Sequence, residues 1–245
     1  MQPNWPEEII QIPIIKQAGL LECEVINAGS SNLNYKVTTQ EGTWVVRLNK
    51  PLPGVNRKQE QKVLKLIGPL KISPAVIAVN PQAGYLITEF CTEPTWQQSP
   101  PELATSIDQL SVQLRQLHRI PYDYLPSRLD QRINRYIQQI NGLPEALVKD
   151  IQFASEDLNR LGFWTACNTL YHSDLNPNNL MGMNNPLIID WEFAGQGHAL
   201  LDWLIMEHEH QLDLSAYYPD EMNEKWLKPA KDLIAYMLRM WSYFQ

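Results

Sequence analysis

Cysteine is scarce in this chain of 245 residues, and the few that occur are scattered. Cys23, Cys91 and Cys167 are far apart, odd in number and never form a C-x-x-C pair. This pattern argues against a disulfide framework and a zinc finger, and it fits a reducing cytoplasm. The N-terminus lacks the basic start of a signal peptide, and no apolar run is long enough for a transmembrane helix. We therefore expect a cytoplasmic protein with no membrane partner.

Positive charge is also in short supply. Lys and Arg number 20 against 27 Asp and Glu, so the formal net charge is −7. Because nucleic-acid binding needs a basic surface, we expect no nucleic-acid partner, and the charge favours cationic small molecules. A composition of 44% hydrophobic and 19% charged residues is ordinary for a globular protein. Nothing in the sequence indicates an oligomeric state.

The hydrophobic pattern changes type near residue 93. Before it, five β-like runs are separated by turn formers, and Arg57–Ile67 has the spacing of an amphipathic helix. The proline-rich stretch CTEPTWQQSPPE is the predicted linker. Beyond it the pattern predicts helices over 101–117, 128–140, 144–161, 199–211 and 228–243. This organisation predicts an α+β fold, with a β-rich N-lobe over 1–92 and a mainly helical C-lobe over 93–245.

Acidic and amide side chains are concentrated in LYHSDLNPNNLMGMNNPLIIDWEFAG, residues 170–195. Within it, Asn184 and Asn185 form a typical turn pair between two apolar runs, which predicts a hairpin. A hairpin centred between these asparagines places Asn179 opposite Asp190, with Cβ atoms roughly 4.5–5.5 Å apart. An amide oxygen and a carboxylate at that separation are ligands that Mg²⁺ accepts, together with substrate oxygens and water.

Two further acids flank this predicted magnesium site. Strand alternation places Glu192 on the same side as Asp190, if the strand extends that far. Asp174 precedes the hairpin in a loop that Pro177 keeps from being helical, where a carboxylate suits a proton acceptor or the orienter of a nucleophile. The alternative is a polar loop and hairpin stabilised by Asx turns. The apolar LII run between the acids favours an active site, because polar groups at the end of a core strand need partners.

The strings HSDLNPNN and IIDWEFAG resemble the H-x-D-x-x-x-x-N and D-x-E signatures of the aminoglycoside phosphotransferase, choline kinase and thiamine kinase superfamily. The resemblance covers most of the chain in order, and it implies a protein-kinase-like bilobal fold that uses ATP and Mg²⁺. It also implies that Asp174 is the catalytic base or hydroxyl-orienting residue and that Asn179 and Asp190 hold Mg²⁺. In such folds, positioning and electrostatic stabilisation carry phosphoryl transfer.

The same resemblance assigns nucleotide binding to the N-lobe. The segment NAGSSNLNY takes the place of the phosphate-covering loop, and its polar side chains are expected to bond phosphate oxygens: Ser30, Ser31 and Asn32. Arg47 replaces the usual strand lysine, as is common in choline and thiamine kinases, and a guanidinium binds phosphate well. Glu60 is the implied partner of Arg47, the alternative being a solvated helix residue. Phe90 is the one predicted ring contact at the adenine-binding hinge.

The acceptor side is more similar to choline and thiamine kinases than to antibiotic kinases, mainly through DWEFAGQGHALLDW. The resemblance gives Glu192 either a second metal or a positively charged acceptor, and it makes Asp202 a structural acid near the catalytic loop. Aromatic and acidic residues are dense after Gly195, and this combination suits a quaternary ammonium or a thiazolium. We expect Trp203 and one or more tyrosines to form such a pocket. The alternative is that these rings form a helical core.

The histidines are assigned supporting roles. His118 ends a helical stripe and is expected to pack against the core. His172 is similar to the histidine of the family motif, which implies that it supports the loop rather than taking part in the chemistry. The pair in EHEH, residues 207–210, does not predict a metal site, because positions i and i+2 do not share a helix face.

Taken together, these features predict an ATP- and Mg²⁺-dependent phosphotransferase with a small-molecule alcohol as acceptor. The expected acceptor is small and cationic, of the thiamine, choline or ethanolamine type. An aminoglycoside or sugar phosphotransferase of the same fold is the first alternative, and a nucleotide-binding pseudokinase is the second. The complete set of Asp174, Asn179 and Asp190 argues against a pseudokinase. DWE in place of D-F-G, with no A-P-E after it, argues against a protein kinase.

Overall fold

The structure is a computed structural model that describes residues 5–28, 32–52, 54–101 and 103–243. The chain divides into two units, Met1–Glu93 and Pro94–Gln245. A β-sheet dominates the first unit and helices dominate the second. That the first unit binds nucleotide and the second carries the catalytic loop and the acceptor stays a prediction.

The described part of the N-terminal unit contains a five-stranded antiparallel sheet with the strand order β1-β2-β3-β5-β4. Its strands are β1 (Leu20–Ala28), β2 (Asn32–Thr39), β3 (Gly42–Asn49), β4 (Val76–Asn80) and β5 (Tyr85–Glu89). The helices of this unit are α1 (Glu7–Ile10), α2 (Pro13–Ala18) and α3 (Arg57–Ile67). The two-residue period of the strands buries Tyr35 and Val37, which join a core that includes Ile9 and Ile15 from the first two helices. These two short helices were not predicted.

Helix α3 begins where the sequence predicts it. The side chain of Asn56 accepts hydrogen bonds from the backbone N–H groups of Lys58 and Gln59, which caps the helix. The buried face of α3 contains Val63, Leu64 and, unusually for a charged residue, Glu60. A buried acid on this face needs a cation beside it.

Most of the C-terminal unit is helical. Its helices are α4 (Leu103–Leu117), α5 (Leu129–Gln139), α6 (Glu145–Arg160), α7 (Phe163–Ala166), α8 (Ala199–His210) and α9 (Leu227–Trp241). Short strands lie among them: β6 (Thr169–Tyr171), β7 (Leu180–Met181), β8 (Leu187–Ile188) and β9 (Gly195–Gly197). The five long helices predicted here are confirmed, with ends that move by no more than two residues. Their apolar faces form one core, in which Ile133, Ile151, Phe163 and Leu233 are buried.

Strand β9 lies unusually close to its neighbours. It pairs antiparallel with β6, so that Tyr171 is opposite Gly195. A Cβ atom on Gly197 would stand 2.4 Å from the Tyr171 ring, and one on Gly195 would stand 2.5 Å from Ser127. Both positions therefore need glycine. The close pairing brings the residues that follow β6 near those that precede β9, and these two segments carry the motif residues.

No helix in the described part of the chain is both long and apolar enough to span a lipid bilayer.

Candidate active site

Asp174 lies in the loop after β6, and two asparagine side chains fix the orientation of its carboxylate. Asn179 Nδ2 donates to Asp174 Oδ2 and to the Asp174 carbonyl, each at 2.9 Å. Asn176 Nδ2 donates to Asp174 Oδ1, also at 2.9 Å. Because Asp174 engages the amide nitrogen of Asn179, Oδ1 is the Asn179 side-chain atom that would bind the predicted magnesium ion. The structure thus brings two of the predicted site residues into direct contact.

The register of the β7–β8 hairpin differs by one residue from the prediction. Leu180 pairs with Ile188, and the Ile189 N–H donates to the Asn179 carbonyl at 3.0 Å. Ile189 is therefore opposite Asn179, and the predicted facing of Asn179 and Asp190 is wrong. The physical reason is that the connecting loop is longer than a two-residue turn and is centred on the first asparagine of the pair.

Asp190 ends the extended chain and does not continue it. β8 stops at Ile188, Asp190 has φ 62° in the left-handed region, and Trp191–Phe193 forms a 3₁₀ turn. A positive φ rotates the following residues out of the strand pattern. The strand does not extend to Glu192, so the condition under which alternation would place Glu192 on the same side as Asp190 is not met. Glu192 is instead a buried residue of the 3₁₀ turn, 5% exposed.

His172 connects the two halves of the motif through its ring nitrogens. The Asp174 N–H donates to Nδ1 at 3.2 Å, and Nε2 donates to the Ile189 carbonyl at 3.0 Å. These partners require the neutral ring with its proton on Nε2. Burial lowers the pKa of His172 and so favours that form, against the opposing charges of Asp202 and Asp174. These contacts fit the supporting role implied for this histidine.

Asp202 on α8 anchors the start of the loop that carries Asp174. Its Oδ2 accepts from the His172 N–H at 2.9 Å and its Oδ1 accepts from the Ser173 N–H at 2.8 Å. His118, at the end of α4, adds a contact from Nε2 to Asp202 Oδ2 at 2.9 Å. Burial alone would raise the pKa of Asp202, but the hydrogen bond and charge of His118 hold that pKa below its usual range. The side chain of His118 is only 8% exposed, and its contact with Asp202 helps to position that carboxylate.

Arg132 is a further residue beside the loop, and it was not anticipated. Its guanidinium donates to Ser173 Oγ and to the Phe193 carbonyl, so it contacts both motif segments. The available signal was its place in α5, three residues after Leu129 and one before Ile133, on the apolar face of the helix. An arginine at such a position is either paired or functional.

The predicted pair of Arg47 and Glu60 is confirmed in the N-terminal unit. Arg47 Nη2 lies 2.6 Å from Glu60 Oε1, and the Glu60 side chain is only 3% exposed. The alternative of a solvated helix residue is therefore wrong. Arg57, which was not predicted, donates to Glu60 Oε2 at 3.0 Å and to Asn32 Oδ1 at 2.9 Å. A network of two guanidinium groups around one carboxylate thus links β2, β3 and α3.

The structure describes only some of the other residues that are predicted to bind nucleotide. Ser30 and Ser31 lie outside the described residues. Asn32 is buried at the start of β2 and holds Arg57. Phe90 directly follows β5, and the Nζ atom of Lys36 lies 5.3 Å from its ring centroid. Contacts of these residues with a nucleotide stay predictions.

The aromatic residues expected on the acceptor side are largely engaged with the protein. Trp203 is 2% exposed and stacks on Tyr217, with 5.3 Å between ring centroids. The Tyr217 hydroxyl donates to Asp108 Oδ1 at 2.7 Å. This packing is the core arrangement that was named as the alternative for such rings. A contact between Trp203 and an acceptor stays a prediction.

Glu209, a half-buried residue of α8, is influenced by the charge of Asp174. Burial raises the pKa of Glu209, the charge of Asp174 raises it further, and His208 opposes the rise. Glu207 has a different environment, because it accepts from the Tyr218 hydroxyl at 2.9 Å and pairs with Lys231 at 2.7 Å. Glu209 therefore adds to the negative charge that Asp174 and Asp202 bring to this loop.

The donors around the loop fit a magnesium ion better than a transition metal. Asn179 Oδ1 and the Asp190 carboxylate would provide hard oxygen ligands. Within the described residues, no three His, Cys, Asp or Glu side chains converge on one point. Mg²⁺ suits so small a set, since it is usually held by one or two carboxylates plus substrate phosphates and water.

The chain belongs to the APH phosphotransferase enzyme family, whose model matches residues 22–226. This membership agrees with the order of the motifs along the chain, from the β-rich unit to the acids that follow β8. No curated protein matches the chain.

Solved structures establish the protein-kinase-like fold. Choline kinase LicA from Streptococcus pneumoniae is 19% identical, with a TM-score of 0.74 over 97% of this chain and 90% of that one. A choline/ethanolamine kinase family protein from Mesorhizobium loti is 16% identical, with a TM-score of 0.64 over 97% and 82%. Aminoglycoside phosphotransferase APH(4)-Ia, in complex with AMP-PNP and hygromycin B, is 14% identical, with a TM-score of 0.69 over 94% and 90%. The predicted α+β fold and superfamily are confirmed.

Proposed function

We propose that this phosphotransferase is an ATP- and Mg²⁺-dependent kinase that phosphorylates the hydroxyl of a small cationic alcohol. One observation carries the proposal: Asn179, one residue before β7, donates to both the carbonyl and the carboxylate of Asp174, and its own carbonyl accepts from the N–H of Ile189, the residue before Asp190. In this proposal Asp174 is the proton acceptor, and Asn179 Oδ1 and the Asp190 carboxylate are the two oxygen ligands. Such a set serves phosphoryl transfer, which depends on positioning and electrostatics.

In this proposal each residue has a defined task. Asp174 accepts the proton of the acceptor hydroxyl as its oxygen attacks the γ-phosphorus of ATP, which yields a phosphate ester and ADP. Arg47, held by Glu60, binds nucleotide phosphate through its fixed donors. Mg²⁺, when bound by Asn179 and Asp190, would neutralise charge on the phosphates.

A cationic acceptor is supported by charge. Glu209 places a half-buried carboxylate in the field of Asp174, and the chain carries a net charge of −7. A quaternary or protonated amine on the acceptor would relieve this local accumulation of negative charge. The similar structures of LicA and of the Mesorhizobium loti protein are of choline and choline/ethanolamine kinase types, and LicA has also been crystallised with AMP.

The test is ADP release from Mg-ATP with choline, ethanolamine, thiamine and kanamycin, with the phosphorylated product identified by ³¹P NMR. Asp174→Asn and Asn179→Ala should each reduce turnover by about 100-fold or more. The matched control is Asn178→Ala, an exposed neighbour on the same loop, which should behave as wild type. Glu209→Gln should raise KM for the cationic alcohols about tenfold and leave KM for ATP unchanged.

The outcomes separate the alternatives. Undiminished turnover by Asp174→Asn would mean that the catalytic loop is misassigned. Tight ATP binding with no turnover of any alcohol would indicate a pseudokinase. Faster turnover of kanamycin than of every small alcohol would favour an aminoglycoside phosphotransferase, a second candidate supported by the similarity to APH(4)-Ia.

A further inference from the structure

A buried arginine lies behind the residues proposed to carry phosphoryl transfer. Arg132 on α5 is 3% exposed, and its Nη2 donates to Ser173 Oγ at 2.6 Å. Its Nη1 donates to the Phe193 carbonyl at 2.5 Å, and its guanidinium carbon lies 5.4 Å from the centre of the Phe193 ring. One side chain therefore contacts the residue before Asp174 and the residue three positions after Asp190.

Both of these segments contain a non-glycine residue in the left-handed region. Ser173 has φ 74° and Asp190 has φ 62°. L-residues adopt this conformation only where the surrounding structure holds it. The hydrogen bond to Ser173 Oγ acts directly on the first of these residues. The bond to Phe193 acts on the 3₁₀ turn that directly follows the second.

The bonding of Arg132 is unusual for a buried cation. Among the described residues it forms no salt bridge, and its Nε atom is buried without a hydrogen-bond partner. Burial alone would lower the pKa of Arg132, but the opposing influence of Tyr171, Tyr136 and Asp174 leaves it raised above its ordinary value. A charged group buried without a paired carboxylate is costly, and replacing buried ionic groups by apolar side chains of similar volume is often neutral or stabilising in proteins. Stability alone therefore does not account for an arginine at this position.

We propose that Arg132 is a positioning residue that clamps the loop carrying Asp174 to the segment carrying Asp190. The clamp sets the separation between the proton acceptor and the proposed metal ligand, and in this sense it rests on the proposed function. A guanidinium suits the task because its donors form a rigid planar fork that reaches two acceptors at once. A lysine would keep the positive charge but would lack the rigid, planar set of donors.

The kinetic test compares Arg132→Met, Arg132→Lys and Ser173→Ala with Arg135→Met. Arg135 is the matched control, since it lies on the same helix and donates to the Pro126 carbonyl, away from the motif. Arg132→Met should lower kcat about 100-fold, because small misplacements of reacting groups cost that much, with KM for ATP unchanged. Arg132→Lys should restore little of the loss. Ser173→Ala removes only the hydrogen bond between Arg132 and Ser173 Oγ, so it should lower kcat about tenfold. Arg135→Met should have the kcat of the wild type.

Hydrogen–deuterium exchange provides a second readout that needs no turnover. Arg132→Met should speed exchange over 172–181 and 189–197 and leave α9 unchanged. Wild-type kcat and wild-type exchange in Arg132→Met would overturn the clamp. Faster exchange throughout the C-terminal unit would also overturn it, by making Arg132 a general structural residue. If wild-type protein phosphorylates no alcohol, the proposed function fails, but exchange still decides whether Arg132 clamps these segments.

Discussion

Asp202 accepts hydrogen bonds from three donors although its side chain is fully buried. Two of the donors are backbone N–H groups of His172 and Ser173, so the carboxylate determines how the chain enters the catalytic loop. The third donor, His118, comes from a helix that ends about 80 residues earlier in the sequence. A buried carboxylate is tolerated here because each of its oxygens has a partner.

We expect Asp202→Asn to lower the free energy of unfolding by about 3 kcal/mol, because an amide would point its N–H₂ group at one of these donors. Urea denaturation followed by circular dichroism measures the effect. The control is Asp232→Asn on α9, which loses only an exposed pair with Lys228 and should change stability by less than about 0.5 kcal/mol. Equal losses in the two variants would show that Asp202 contributes no more than a surface charge.

Helix α8 begins at a histidine cap, which is an uncommon choice. His198 has extended backbone geometry, and its Nδ1 accepts from the Leu200 N–H at 3.1 Å. The ring lies against Phe163 and Trp226, with centroid distances of 5.6 Å and 5.3 Å. Burial, with the charge of His118 adding to it, lowers the pKa of His198 to about 4. The cap requires the neutral ring, since protonation removes the acceptor and places positive charge at a helix N-terminus.

The contribution of the His198 cap to the stability of the protein should therefore decrease in acid. Because the folded pKa of His198 lies below its unfolded value near 6.5, its contribution is complete above pH 6.5 and is lost as the pH falls toward 4. The loss is about 3 kcal/mol. His198→Asn keeps a capping oxygen without a titrating ring, so stability between pH 6.5 and 4 should fall less steeply than in wild type.

The free energy of unfolding, measured from pH 4 to pH 7, tests this predicted pH dependence of stability. His208→Asn is the matched control. His208 lies on the same helix but is exposed, and its substitution should leave the pH profile unchanged. Some acid sensitivity should remain in His198→Asn, because burial also lowers the pKa of His172. Parallel pH profiles for His198→Asn and wild type would contradict the cap assignment.

At the scale of the whole molecule, the net charge of −7 should attract a cationic acceptor before it reaches the site. Salt screens this attraction, since the Debye length falls from about 30 Å at 0.01 M to about 10 Å at 0.1 M. With ATP saturating, kcat/KM for choline should fall about threefold over this range of ionic strength. The comparison is 3,3-dimethylbutan-1-ol, which has the shape of choline without its charge and should show little dependence on salt. Identical salt dependence for the two alcohols would argue against electrostatic attraction.

Much of the fold could be predicted because its signals are local. The stripe of α4 and the alternation along β2 depend on residues a few positions apart, and these elements lie where the sequence places them. The short helices α1 and α2 were missed since four to six residues carry too little periodicity to recognise. The hairpin register failed by one residue because loop length, which sets it, is not visible in the pattern.

The sequence by itself determined the family, the α+β organisation and the identity of the motif residues Asp174, Asn179 and Asp190. These follow from spacing within short segments, which chain connectivity preserves. Only the tertiary structure decided what surrounds them: the clamp of Arg132 and the anchor formed by His118 and Asp202. Such contacts join residues tens of positions apart, and their existence depends on how helices pack against the loop, which no local spacing specifies.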